Sequence, residues 1–421
     1  MKTVRSVVQV ASGNFLEMYD FMVFGYYASA IAGTYFPGHD PFASLMLAFA
    51  TFGAGFLMRP LGALLLGAYT DRYGRRAGLL LTLGLMALGT LSIAILPGYA
   101  AIGLAAPLLV LAGRLVQGLS AGVELGSVAV YLSEIAPAHR RGFFVSWQSA
   151  SQQVAVVFAA LLGALLAAHF TKAQMISYGW RIPFIVGCAI VPFIFVLRRS
   201  LRETAAFQAR TVHPTLAQTV ASLAANWQIV GLGTMLVTMT TVSFYFITAY
   251  TPTFGTEVLH LAQRDALVIT LCVGLSNLLW LPLSGALSDR IGRPPIMLAT
   301  TVLALLTAYP TLHWMAIAPS FASLLAVELW LSFLYGCYNG AMVAYLTEIV
   351  PEHVRTSGFS LAYSLATAVF GGFTPAIATY LIHASGDKAM PGLWLSCAAA
   401  LGLIATLILR AERTPAREAF A

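Results

Sequence analysis

Gly67-Ala-Tyr-Thr-Asp71-Arg72-Tyr-Gly74-Arg75-Arg76 is a short polar run between two long apolar segments. It returns in worn form as Gly285-Ala-Leu-Ser-Asp289-Arg290-Ile-Gly292-Arg293-Pro294, and from Gly67 to Gly285 the offset is 218 residues. A second pair keeps nearly the same spacing. Tyr131-Leu-Ser-Glu134-Ile-Ala-Pro137-Ala-His139 is echoed by Tyr345-Leu-Thr-Glu348-Ile-Val-Pro351-Glu-His353, 214 residues on. Two independent pairs at nearly one offset mean that the chain was built twice. Repeats of this size in an apolar chain predict two halves facing each other.

Composition sets the medium. The 421 residues are 59% hydrophobic and 9% charged, against roughly a quarter charged in soluble domains. Apolar stretches of about 20 residues, each enough to cross a hydrocarbon core of about 30 Å as a helix, recur throughout. They predict twelve spans at 6–34, 42–69, 77–97, 103–132, 142–169, 181–197, 227–253, 266–287, 295–315, 320–346, 355–383 and 391–410. The expected fold is an all-α polytopic membrane protein with two six-helix bundles, 1–197 and 227–421, joined by a polar linker at 198–226. That linker opens Arg198-Arg199-Ser-Leu-Arg202-Glu203 and reads either as a tether on anionic lipid or as a solvated connection. The first apolar run carries Asn14, Glu17 and Asp20 and has no small-residue cleavage site, so it reads as a span rather than a cleaved signal.

If both termini are cytoplasmic, 17 of the 23 Lys and Arg fall on the inner side and 4 on the outer; Arg59 and Arg114 lie within the membrane. The positive-inside rule then sets the orientation. The net charge of +7 follows this topology and does not point to nucleic acid. Cys188, Cys272, Cys337 and Cys397 all sit in apolar segments and read as small buried hydrophobes. The eight histidines show no paired metal-ligand spacing, and no GxSxG motif or phosphate-cradling loop is present, so an enzyme is not expected.

The loop at 67–76 resembles the signature loop between the second and third helices of the major facilitator superfamily, and 285–294 resembles its second-half echo. More narrowly, Ser12-Gly-Asn14-Phe-Leu-Glu17-Met-Tyr19-Asp20-Phe is similar to the metabolite:proton symporter family. So are Gly113-Arg114-Leu-Val-Gln117-Gly118-Leu-Ser-Ala-Gly122-Val-Glu124, Ser146-Trp147-Gln148-Ser149-Ala-Ser151-Gln152-Gln153 and Tyr178-Gly-Trp180-Arg181-Ile-Pro183-Phe184. The overall likeness is greatest to bacterial citrate and tricarballylate transporters. The resemblance implies a monomeric inner-membrane carrier that imports a tricarboxylate by proton symport, with no bound cofactor and with lipid around it. Sodium coupling, or another organic acid or an osmolyte as substrate, are the alternatives.

A charged side chain at bilayer depth costs about 2.5–3.5 kcal/mol on insertion scales, so each one asks for a function. Glu17 and Asp20 share a face of the first span, roughly 16 and 21 Å from its inner end, with Asn14 one turn below. Two carboxylates so close in a poor dielectric are not expected both to ionise. Arg114 is expected either to anchor a substrate carboxylate or to pair with Asp20 or Glu17. Arg59 reads as a second cation for the substrate or as a partner of Glu124, which shares a face with Gln117. Glu17, Asp20, Arg59 and Glu124 are therefore the proton-coupling candidates.

Polar groups complete the expected substrate set: Asn14, Tyr19, Gln117, Gln148 and Gln152 in the first half, and Tyr245, Asn277, Tyr338 and Asn339 in the second. Glu328 is the one obvious buried charge of the second half, which otherwise holds hydroxyls and amides, Thr241 and Tyr363 among them. Asp71, Arg75, Arg76 and Glu134, with their echoes Asp289, Arg293 and Glu348, are expected to latch alternating-access states rather than bind substrate. Gly371, Gly372 and Pro375 mark a bend or a kink in the eleventh span.

Overall fold

In the computed structural model, residues 13–73, 75–122, 124–199, 216–351 and 355–418 are described. Among them nine helices are long and apolar enough to cross a membrane, and Leu80–Ile95 and Ala105–Ala121 are shorter apolar helices. The first crossing, interrupted at Tyr27, completes twelve.

In chain order the crossings are α1 (Gly13–Tyr26 and Ala28–Tyr35), α2 (Pro41–Leu57 and Arg59–Tyr73), α3 (Arg75–Ile95), α4 (Ala105–Ala121 and Glu124–Ile135), α5 (Arg141–His169) and α6 (Ile182–Arg199). The second half supplies α7 (Trp227–Tyr245, prolonged by π turns at Phe246–Tyr250 and Phe254–Val258), α8 (Gln263–Ile291), α9 (Arg293–Ile317), α10 (Phe321–Ile349), α11 (Arg355–Ala366, a π turn at Thr367–Gly371, and Thr374–Ser385) and α12 (Pro391–Glu418). The predicted linker is not uniformly irregular. Its end forms a helix, Leu216–Ala225, that runs into α7 across Asn226; residues 200–215 lie outside the described residues.

Local sequence sets where several helices start. Pro41 stands in the first turn of α2, and Asp40 accepts the amide of Phe42 at 2.9 Å. Ser320 and Ser323 form a reciprocal cap at the start of α10. Between α8 and α9 the duplicated loop turns on Gly292 alone, whose φ of 91° favours glycine.

Burial is inside out relative to a soluble protein. Phe193 is 74% exposed and Leu104 70%, whereas Arg114 and Asp20 are at 0%. Hydrocarbon is the solvent that such a surface suits.

Small residues let helices meet closely, both within a half and between the halves. A Cβ at Gly118 would collide with the carbonyl of Gly55, and one at Gly122 with that of Arg59, so α2 and α4 touch backbone to backbone. Across the halves α5 and α8 run together: Gly142 lies against Gly285 at one end, Gly274 against Val157 midway and Gly163 against Leu267 at the other. At the arginine-rich end Gly126 of α4 meets Ser360 of α11. At the arginine-poor end Gly25 of α1 meets Ala249 of α7, and Phe42 stacks on His383 with ring centroids 3.7 Å apart. Among the described residues the halves thus touch towards both ends.

Candidate functional site

Two ion pairs organise the first half. Glu17 Oε1 accepts Arg59 Nη2 at 2.9 Å, and Asp20 Oδ2 accepts Arg114 Nη1 at 2.8 Å. The two carboxylates were expected to crowd one another. Instead, each has its own guanidinium, because α2 and α4 reach α1 at different heights. Arg59 thus takes Glu17; the side chain of Glu124, its other partner weighed from sequence, lies outside the described residues, as does that of Asn14.

The two pairs differ in surroundings. Arg114 is wholly buried, with its guanidinium 3.8 Å from the ring centre of Phe24 and 5.2 Å from that of Phe21. Its Nη1 also donates to Gln117 Oε1 at 2.6 Å, and Gln117 in turn donates to Thr90 Oγ1 at 3.1 Å. Arg114 Nε and Nη2 and Asp20 Oδ1 have no hydrogen-bond partner. Arg59 lies 4.5 Å from the ring centre of Phe56 and 4.9 Å from that of Phe21, so Phe21 stands between the guanidinium groups. Such contacts help to hold cations out of water.

Arg59, not Arg114, reaches the seam between the halves. It lines a cavity with Met18 and Gln152 of the first half and Thr241, Phe244, Tyr245, Tyr335, Tyr363 and Thr367 of the second. The cavity holds ≈ 10 Å³, room for about one water. It is a narrow centre, with one guanidinium and three tyrosines converging on it.

The other predicted ligands are distributed unevenly. Gln152 and Tyr245 are in the cavity wall. Gln148, one turn from Gln152, accepts Ser149 and leaves its Nε2 without a partner. Asn339 donates to Tyr335 at 3.2 Å and so backs the wall. Tyr19 is not brought to the cavity: its hydroxyl donates to Pro183 O at 2.7 Å within the first half. Tyr338 donates to Leu236 O at 2.9 Å within the second. Asn277 joins the halves, donating to Gln153 Oε1 at 3.1 Å and accepting Ser332 at 2.7 Å. Arg114 and Gln117 sit behind the cavity, occupied by Asp20 and by each other. Tyr335, Phe244, Met18 and Thr367 were missed; the spacing of Tyr335 four residues before Asn339 was the one available signal.

The latch residues are half visible. Asp289 accepts the amides of Gly142 and Phe143 at 2.8 and 3.0 Å, capping α5 of the other half. Arg293 pairs with Asp289 at 2.8 Å and Glu348 at 3.2 Å. Glu134 is exposed, and the side chains of Asp71, Arg75 and Arg76 lie outside the described residues. The eleventh span does break where Gly371 and Gly372 stand; they pack on Thr241 and Phe56. Among the described residues no group of three or more His, Cys, Asp or Glu could hold a metal.

The sequence pattern of the Major Facilitator Superfamily matches residues 10–365 and again 269–421. The chain belongs to that superfamily. A citrate-proton symporter of Salmonella typhi is 58% identical over 407 residues, 97% of this chain and 94% of that protein. One from Klebsiella pneumoniae is 59% identical over 406 residues, 96% of this chain and 91% of its own length. A proline/betaine transporter of Escherichia coli K12 is 30% identical, covering 97% and 84% respectively. The xylose transporter XylE of E. coli, in a partially occluded inward open conformation, superposes with a TM-score of 0.75 at 18% identity, over 96% of each chain, a likeness of fold. This major facilitator chain is a membrane transporter.

Proposed function

We propose that the protein imports citrate, or a closely related tricarboxylate, across the bacterial inner membrane by proton symport with alternating access, both termini being cytoplasmic. Nearly full-length identity to citrate-proton symporters supports the substrate and the coupling ion. The carrying observation is that the cation lining the cavity, Arg59, is already held by a carboxylate of its own chain, Glu17. Glu17 stands where a substrate carboxylate would stand. An entering carboxylate takes the fork of Arg59, with Tyr245, Tyr335 and Tyr363 offering hydroxyl donors to the rest of the molecule. Glu17, stripped of its cation in an apolar setting, is then stabilised by taking up a proton. Asp20 behind it works as the coupling carboxyl: protonation releases Arg114, and loss of the proton restores the pair. A carrier of a trianion needs such positive charge, because each charge moved against the membrane potential costs about 2.3 kcal/mol per 100 mV.

Calorimetry with citrate and a dicarboxylate across a pH series separates the two arginines. A charge-assisted hydrogen bond contributes about 1.5–3 kcal/mol, so Arg59→Lys is expected to weaken citrate binding roughly ten- to a hundred-fold at every pH. Arg114→Lys is expected to keep the affinity and displace its pH dependence. The opposite pattern would return the anchoring role to Arg114 and leave Arg59 a structural partner of Glu17.

A further inference from the structure

Among the described residues, Glu328 of α10 is the fully buried carboxyl that the two ion pairs leave unused. It is at 0% exposure, and among the described residues no cation forms an ion pair with it. Its Oε1 lies 2.9 Å from Thr251 Oγ1, and its Oε2 has no hydrogen-bond partner. A carboxylate buried this way, with no counter-charge and one bare oxygen, is a costly ion.

The hydrogen inventory at Thr251 makes the point sharper. Thr251 Oγ1 is also 3.2 Å from the carbonyl oxygen of Phe246. A hydroxyl has one hydrogen and cannot donate to both oxygens. If Glu328 is ionised, the hydroxyl turns to it, and the bond to the Phe246 carbonyl is lost. If Glu328 carries a proton, its own O–H donates to Thr251 Oγ1, and the threonine donates on to Phe246. The neutral form links all three groups in one chain and leaves only an uncharged oxygen, Oε2, without a partner.

Thr251 occupies the three-residue segment Thr251–Thr253 between the two π turns of α7. Those turns face the other half: Ala249 presses on Gly25 of α1, and Thr253 Oγ1 donates to Gly25 O at 3.5 Å. The proton on Glu328 therefore bears on the stretch of α7 that closes the arginine-poor end against α1. π turns are places where a helix changes its hydrogen-bonding register at little cost.

We propose that Glu328 is a second proton-binding site, lying in the C-terminal half and separate from the Asp20–Arg114 pair, and that its protonation closes the α1–α7 gate at the arginine-poor end. The proton passes from water to a carboxylate oxygen of Glu328, forming one O–H bond with no other chemistry. Ionisation breaks the Thr251–Phe246 link and draws water towards the bare charge, which opens that end. The elements packed on this part of α10 bring few competing groups. α7 carries Glu257 beyond its second π turn, α8 carries Arg264 and Asp265 at its start, α9 carries His313, and α5 ends in His169. Glu257, Arg264, His313 and His169 are exposed, Asp265 is partly so, and none pairs with Glu328. The purpose assigned to the site rests on the carrier reading; its detection does not.

Two measurements on the purified full-length protein, made without substrate, test it. In infrared spectroscopy the band of a protonated buried carboxyl is expected to disappear in Glu328→Gln and to persist in Asp20→Asn and in Thr251→Val. In a background lacking the four native cysteines, spin labels at His39→Cys and Ser385→Cys report the arginine-poor end. Raising the pH is expected to shift the wild-type distances towards the open population. In Glu328→Gln, which mimics the neutral acid, and in Thr251→Val, which breaks the chain, that pH-driven change in the open-to-closed ratio is expected to fall at least about tenfold. Thr251→Ser, which keeps the hydroxyl, is expected to respond as wild type. An unchanged infrared band in Glu328→Gln, or pH-driven opening of wild-type size in both Glu328→Gln and Thr251→Val, would overturn the proposal. Failure of citrate binding would leave both readouts intact and count against the substrate assignment alone.

Discussion

The two halves descend from one repeat, yet they handle buried charge in opposite ways. The first half holds two carboxylates and two guanidiniums in closed pairs, each screened by phenylalanine rings. The second half presents hydroxyls and aromatic rings to the same cavity, and its one fully buried carboxyl among the described residues, Glu328, has a threonine for company. A paired carboxylate changes state by exchanging its cation, whether with a proton or with a substrate. An unpaired one changes state by protonation alone. The first arrangement suits coupling to an anion, and the second suits a gate. Duplication supplied the scaffold, and the halves then diverged in what they put inside it.

The contrast breaks most visibly at Asp20. Asp20→Asn removes the carboxylate and strands Arg114, and breaking a buried pair typically costs about 3–5 kcal/mol. Accumulation of citrate in proteoliposomes driven by a pH gradient is expected to vanish, while citrate–citrate counterflow persists. A variant that still concentrates substrate would take the coupling role away from Asp20.

A smaller effect tests the hydroxyl side. Tyr245→Phe deletes one donor at the cavity wall, worth about 0.5–1.5 kcal/mol, and is expected to weaken citrate binding roughly two- to tenfold. Tyr338→Phe is the control: its hydroxyl is committed to Leu236 O, so stability falls and affinity stays. Equal losses of affinity in both would mean that the cavity wall is not where substrate sits.

The least effect on transport is expected at the latch. Asp289→Ala removes the cap on α5 and the partner of Arg293, costing about 1 kcal/mol of stability, with citrate affinity unchanged in calorimetry. Thermal unfolding of this variant beside Asp71→Ala would show whether the two duplicated loops still do equal work.

Much of this was legible in the chain. Apolar runs of membrane length announced the helices, and two repeats at nearly one offset announced a transporter of this superfamily. The intramembrane charges Glu17, Asp20, Arg59 and Arg114 stand out because hydrocarbon makes every one of them expensive. Who pairs with whom was not legible. Helical spacing puts Glu17 and Asp20 on one face, but the heights at which α2 and α4 cross α1 decide which arginine meets which carboxylate. Tyr335 was hidden because a tyrosine in an apolar run reads as core until a cavity is found beside it. The π turns of α7 carry no residue signature, and the helix at Leu216–Ala225 was obscured by the polar stretch before it.

The cap on α5 has a consequence for how the molecule is made. The amides of Gly142 and Phe143 wait for a carboxylate 147 and 146 residues further along the chain. At ribosomal speeds of about 5–20 residues per second, that partner arrives roughly 7–30 s after the start of α5 has been synthesised. The first half therefore enters the membrane with its fifth helix unfastened at the water's edge, and only the eighth helix completes it. A newborn first half is an unfinished object, and the cell must tolerate it for that interval each time a copy is produced.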